Sequence, residues 1–66
     1  MITETSEVFT LHIELCRTDP GRYEWIVRSD QHVVRRSLRS ASTAREALKQ
    51  GKIVMQELTA LWRDSR

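Results

Sequence analysis

Three alternating apolar runs followed by one capped amphipathic stretch predict an α+β fold. The expected architecture is a three-stranded antiparallel β-meander packed on one C-terminal α-helix, β-β-β-α in two layers. Three observations predict it: a period of two from Val8 to Cys16 and again from Tyr23 to Arg28, a Pro20-Gly21 turn between them, and a change to helical spacing after Leu38.

Residues 1–7 alternate Thr, Glu and Ser with little apolar content and are expected to be a frayed lead-in to a single domain spanning 1–66. From Val8, Phe9, Leu11, Ile13 and Leu15 point one way while Thr10, His12 and Glu14 point the other, the pattern of a strand with one buried face. Arg17-Thr18-Asp19-Pro20-Gly21-Arg22 stops it, because proline presets one turn dihedral and glycine accepts the positive φ that often follows. Tyr23, Trp25 and Val27 then oppose Glu24, Ile26 and Arg28, which closes a hairpin. After the polar break Ser29-Asp30-Gln31, residues His32–Arg39 form a third run, with Val34 and Leu38 on the core side and Val33, Arg35, Ser37 and Arg39 on the other. Parity puts Arg36 on the apolar side, so this run is expected to have a rim position or a bulge there, or to be a basic edge strand.

Ser40-Ala41-Ser42 reads as a loop, and Thr43-Ala44-Arg45-Glu46 fits the capping box in which a threonine hydroxyl accepts an orphan amide of the first turn. Ala44, Ala47, Leu48, Gly51, Val54, Met55, Leu58, Leu61 and Trp62 make one stripe, with Lys49, Lys52, Gln56, Glu57 and Arg63 outside it. Glycine inside a helix costs about 1 kcal/mol. Gly51 lies on the stripe, so its presence predicts a close approach of helix backbone to sheet. A helix of about 30 Å exceeds the width of three strands. Leu61 and Trp62 therefore overhang as a candidate contact surface or fold back over the first strand.

Composition narrows the function. The chain has 66 residues, of which 39% are hydrophobic and 30% charged, too apolar for a disordered tail and without a run long enough to span a membrane. Met1–Thr10 has neither the basic start nor the apolar middle of a signal peptide, and one cysteine cannot form an internal disulfide, so a reducing, cytoplasmic setting is expected. Charge is segregated: residues 1–30 hold six carboxylates and three arginines, residues 31–66 eight basic side chains and three carboxylates. A net of −3 thus precedes a net of +5, and arginine outnumbers lysine nine to two. Guanidinium groups pair bidentately with phosphate or carboxylate.

Chemistry-bearing constellations are lacking in the sequence. His12 and Cys16 stand roughly 13 Å apart along an extended strand, too far to share a metal. His32 has no partner at metal-ligand spacing, and Gly21 and Gly51 make no phosphate loop. Glu14 and Glu24 can be cross-strand neighbours in such a hairpin, but exposed carboxylates without a cleft do no acid–base work. The chain is therefore not expected to be an enzyme, to hold a cofactor or metal, or to take a small-molecule substrate.

What remains is the open sheet face. Arg28, Arg35 and Arg39, with Arg36 and Arg45 nearby, are candidate nucleic-acid-binding residues, since short antiparallel sheets enter the major groove with arginines reading guanine. The alternative is a protein-interaction or homodimerising module using the sheet edge or the Leu61–Trp62 end. The order of three strands and a helix over 8–62 resembles the AP2-type and integrase-arm-type DNA-binding domains, a resemblance that implies arginine and aromatic side chains presented from the sheet. Tyr23-Glu24-Trp25-Ile26-Val27, a polar turn, Val33-Val34 and Ser42-Thr43-Ala44-Arg45-Glu46-Ala47 are similar to the small YegP-like domains. That likeness implies an aromatic strand, a turn and a helix start of the S-x-x-x-A type, with no settled biochemical role attached.

Overall fold

Two-residue turns and one proline-glycine loop fold the chain into four strands. A computed structural model describes residues 2–65. The elements are β1 (Ile2–Ser6), β2 (Phe9–Leu15), β3 (Tyr23–Ser29), β4 (His32–Arg36) and α1 (Ala44–Asp64). The sheet is an antiparallel meander in the order β1-β2-β3-β4, and α1 lies over β2 and β3, reaches β1 and does not reach β4. The fold is α+β, as the pattern predicts, with one strand more than expected.

The added strand corrects the frayed lead-in. Ile2 pairs with Ile13, Glu4 with Leu11 and Ser6 with Phe9, so β1 extends the core face, while Thr3 and Thr5 look outward. The apolar signal is weak because Glu4 occupies a position that a central strand fills with a hydrophobe. At this rim Lys52 of α1 answers Glu4 at 3.5 Å. Met1, the first residue of the expected lead-in, lies outside the described residues.

Leu11, Ile13 and Val27 are fully buried and Phe9 and Trp25 nearly so, as alternation requires. They meet Ala47 and Met55 of α1, with Leu48, Val54, Leu58 and Trp62 packed at the margin. Contact is closest at Gly51: a Cβ there would stand 2.6 Å from Leu11 Cδ1 and 3.1 Å from Trp25 Cβ, so no side chain fits between helix and sheet. Thr43 caps the helix, its Oγ1 accepting from the Glu46 amide at 3.1 Å. Thr59, outside the apolar stripe in type, completes the buried line by donating its hydroxyl to the Met55 carbonyl at 2.8 Å.

Four apolar residues depart from their expected places or exposure. Leu38 is 100% exposed, because β4 ends at Arg36 and Ser37 takes the place beside Trp25, its amide donating to the Trp25 carbonyl at 2.9 Å. Leu15 is 54% exposed, at the last rung of the β2–β3 pair, where its partner Tyr23 packs against the core margin and it does not. Ile26, on the open face, is only 5% exposed. Its cross-strand neighbours His12 and Arg36 flank it, and long charged side chains cover apolar surface with their stems. Ala41, expected in a loop, pairs with Tyr23 through two backbone hydrogen bonds of 2.8 and 2.7 Å and joins the core.

Two stability outcomes follow. Gly51→Ala gains about 1 kcal/mol of helix propensity but overpacks Leu11, at a cost of about 1–3 kcal/mol. The expected net is a loss of about 1 kcal/mol, seen as a melting temperature lowered by roughly 4–8 °C in a domain of this size. Deleting residues 1–6 uncovers the β2 edge and removes Ile2 from the core margin. Thermal melts followed by circular dichroism are expected to drop by at least about 10 °C, whereas a frayed segment would leave them unchanged.

Candidate binding surface

The β3–β4 pair decides where the arginines go. Val27 pairs with Arg35 but Arg28 pairs with Val33, so Val34 is an extra residue and the register shifts by one. Such a bulge reverses the facing of everything beyond it. Arg35, expected on the open face, stands opposite core-facing Val27, and Arg36, expected on the apolar side, stands opposite open-face Ile26. The sequence signal is the broken parity at Arg36, which allows a rim position, a bulge or a basic edge and does not say which arginine is redirected.

The open face consequently holds Arg28 and Arg36 but not a basic stripe. Glu14 and Glu24 lie directly opposite one another on the same face, and Arg36 leans toward Glu24 with Nη2 to Oε1 at 3.9 Å. Two carboxylates balance two guanidiniums, so this face does not present a uniform field to phosphate. Trp25 faces the helix, so β3 offers no indole on the open side. Arg45 sits apart in the first turn of α1.

Arginine instead concentrates beside β4. Because α1 does not reach this strand, a groove of about 630 Å³ opens between residues 35–39 and the helix face carrying Gln50, Val54 and Glu57, with Trp25 in its lining. Among the described residues, Arg35, Arg36 and Arg39 border it against the one carboxylate of Glu57, and fully exposed Leu38 stands at its mouth. The Arg35 Nη1 donates to the Val34 carbonyl at 3.0 Å. Among the described residues, the guanidiniums of Arg28, Arg39 and Arg45 have no hydrogen-bond or ion-pair partner.

The segment bearing Leu38 and Arg39 is braced from behind. Arg22 donates through Nε to Ser40 Oγ and through Nη2 to the Ser40 carbonyl, both at 2.7 Å, and Ser40 Oγ donates to Asp19 Oδ2 at 2.9 Å. Gly21, at φ +79°, gives the β2–β3 turn the left-handed step that brings Arg22 and Asp19 together. A second hollow of about 480 Å³ on this side contains Cys16. Its thiol is held below the ordinary range first by the Thr18 hydroxyl, at 3.4 Å, then by the Thr18 and Asp19 amides, against the opposing effects of desolvation and the Glu24 charge.

The other expected contact surface is divided. Leu61 is 64% exposed, whereas Trp62 turns back to pack against the core margin, and Arg63 pairs with Glu7 in the β1–β2 turn, which ties the helix end to the sheet. Among the described residues there is no group of three or more His, Cys, Asp or Glu side chains suited to a metal, and no helix long and apolar enough to cross a membrane. No family model, curated protein or solved structure matches the chain significantly.

The Thr18 contact makes Cys16 a chemical probe of the turn. A lowered pKa means more thiolate at a given pH below it, so Thr18→Val raises the pKa and reduces that fraction. Alkylation by iodoacetamide, measured across pH, is expected to be slower at neutral pH in the variant, with its midpoint moved upward; superimposable profiles would show that the hydroxyl contributes nothing.

Proposed function

We propose that this chain is a non-catalytic protein-interaction module whose working surface is the β4 edge and the groove beside it. The observation that carries this reading is the offset of α1, which leaves the β4 edge, and the groove beside it lined in part by Trp25, Leu38 and Val54, without a covering element. Apolar side chains beside an unpaired strand edge are the two ingredients of recognition by strand addition. Mixed charge on the open face disfavours the expected sheet-to-DNA mode there.

A nucleic-acid-binding role is the second reading, and the unpartnered guanidiniums of Arg28, Arg39 and Arg45 favour it. The two separate by titration of labelled duplex DNA at low and moderate salt. The interaction reading expects affinity no better than the non-specific range of about 10⁻⁴–10⁻⁶ M at moderate salt. Saturable binding tighter than that, with a steep salt slope lost in Arg28→Ala/Arg39→Ala/Arg45→Ala, would put the nucleic-acid role in its place. The open edge has its own check by amide exchange. The Ser37 amide points into the sheet, so by alternation that of Arg36 points out and is expected to exchange rapidly in the dilute protein. Strong protection at Arg36 would mean that the edge is already occupied.

A further inference from the structure

We propose that β4 accepts an extended acidic segment of another protein as a fifth strand, with a bulky apolar side chain of that segment entering the groove beside Trp25. This names the partner class for the interaction reading above and rests on it.

Charge selects the occupant. Arg35 and Arg36 lie on opposite faces of β4, and Arg39 follows, so a strand laid along this edge meets guanidinium on both of its sides. Carboxylates at alternate and intervening positions of the incoming segment are thereby both answered, and charge-assisted pairs of this kind are stronger than neutral hydrogen bonds. Among the described residues, Glu57 is the single carboxylate bordering the groove, against three guanidiniums. An N–H of the added strand can replace the Arg35 guanidinium on the Val34 carbonyl, which frees that guanidinium for a carboxylate of the partner.

The same charges reject the chain itself. Antiparallel pairing of β4 with β4 of a second copy, in registers centred on Arg35 and Arg36, sets these residues against their own kind, and like charges facing across strands destabilise the pair. Pairing of β4 with β1 of a second copy fares no better, because Glu4 is paired with Lys52 and Glu7 with Arg63 within one chain. That arrangement also repeats without closing, which a soluble dimer does not do. A short, bulged, basic strand is a guarded edge. Here the guard disfavours basic and self strands and favours an acidic one as the partner of opposite sign.

The groove supplies the apolar half of the recognition. Trp25 and Val54 line it, and Leu38, exposed over its whole surface at the mouth, has no neighbour in the chain to cover it. A leucine, isoleucine or phenylalanine among the acidic residues fills this space and covers Leu38.

The test is selection from a randomised library of short displayed peptides on the full chain. Enriched sequences are expected to mix Asp or Glu with Leu, Ile or Phe. A synthetic peptide of the enriched pattern should shift amides from Val33 to Leu38 and slow exchange at Arg36. Arg35→Glu/Arg39→Glu, which leaves the Arg36–Glu24 pair in place, is expected to weaken that peptide by at least about tenfold. Arg35→Gln/Arg39→Gln, the milder change should the reversal misfold, is expected to fall between. Enrichment at β4 without acidic bias, or affinity indifferent to both variants, overturns the acidic occupant while the interaction module stands. No enrichment, with duplex DNA shifting the same amides, overturns both.

Discussion

Contact between Gly51 and the Leu11–Trp25 pair is the constraint on which the rest of the arrangement depends. Without a side chain at that point, the helix backbone settles onto the middle of the sheet, and the axis of contact is fixed over β2 and β3. Ala47, Met55 and Thr59 continue the buried line at intervals of four residues, so the helix has one narrow footing rather than a broad face. A single helix seated there cannot also cover the fourth strand. The groove beside β4 is thus a product of the same packing that builds the core.

Position along β4 then matters more than net charge. The bulge at Val34 exchanges the facing of Arg35 and Arg36, which dissolves a stripe across the open face and gathers basic side chains around one edge. Asp19, Arg22 and Ser40 are tied together behind the segment that carries the exposed Leu38 and Arg39. Charge segregation along the sequence thereby becomes segregation across the sheet: acidic side chains near β1, already neutralised within the chain, and arginines at the opposite edge.

The sequence was most legible where one face of an element is wholly apolar. Phe9, Leu11, Ile13, Trp25 and Val27 alternate cleanly and are buried, and Thr43-x-x-Glu46 marks the helix start with its cap in place. β1 was hidden because its core-facing positions after Ile2 are Glu4 and Ser6, tolerable only at an edge next to Lys52; the β-branched Thr3 and Thr5 were the available hint. The binding edge was half legible. Broken parity at Arg36 announced an irregularity, but the choice between a shift at Val34 and a rim position depends on which amides of β3 are satisfied, a tertiary matter. Leu38 was misplaced for the same reason, since one extra residue moves every later one to the other face.

Ile26 gives Arg36 a second duty. An almost fully enclosed isoleucine on the solvent side of a sheet means that the side chains around it form a roof, and Arg36, opposite Ile26 and leaning toward Glu24, is one of its rafters. Its guanidinium leans on Glu24 and borders the β4 groove, while a long stem opposite Ile26 is placed to cover apolar surface. Truncation at this position removes both at once, so a loss of affinity there reports shelter and charge together, whereas methionine keeps an apolar stem without the charge and separates them. The basic edge is in this sense part of the wall of the protein as well as its means of contact.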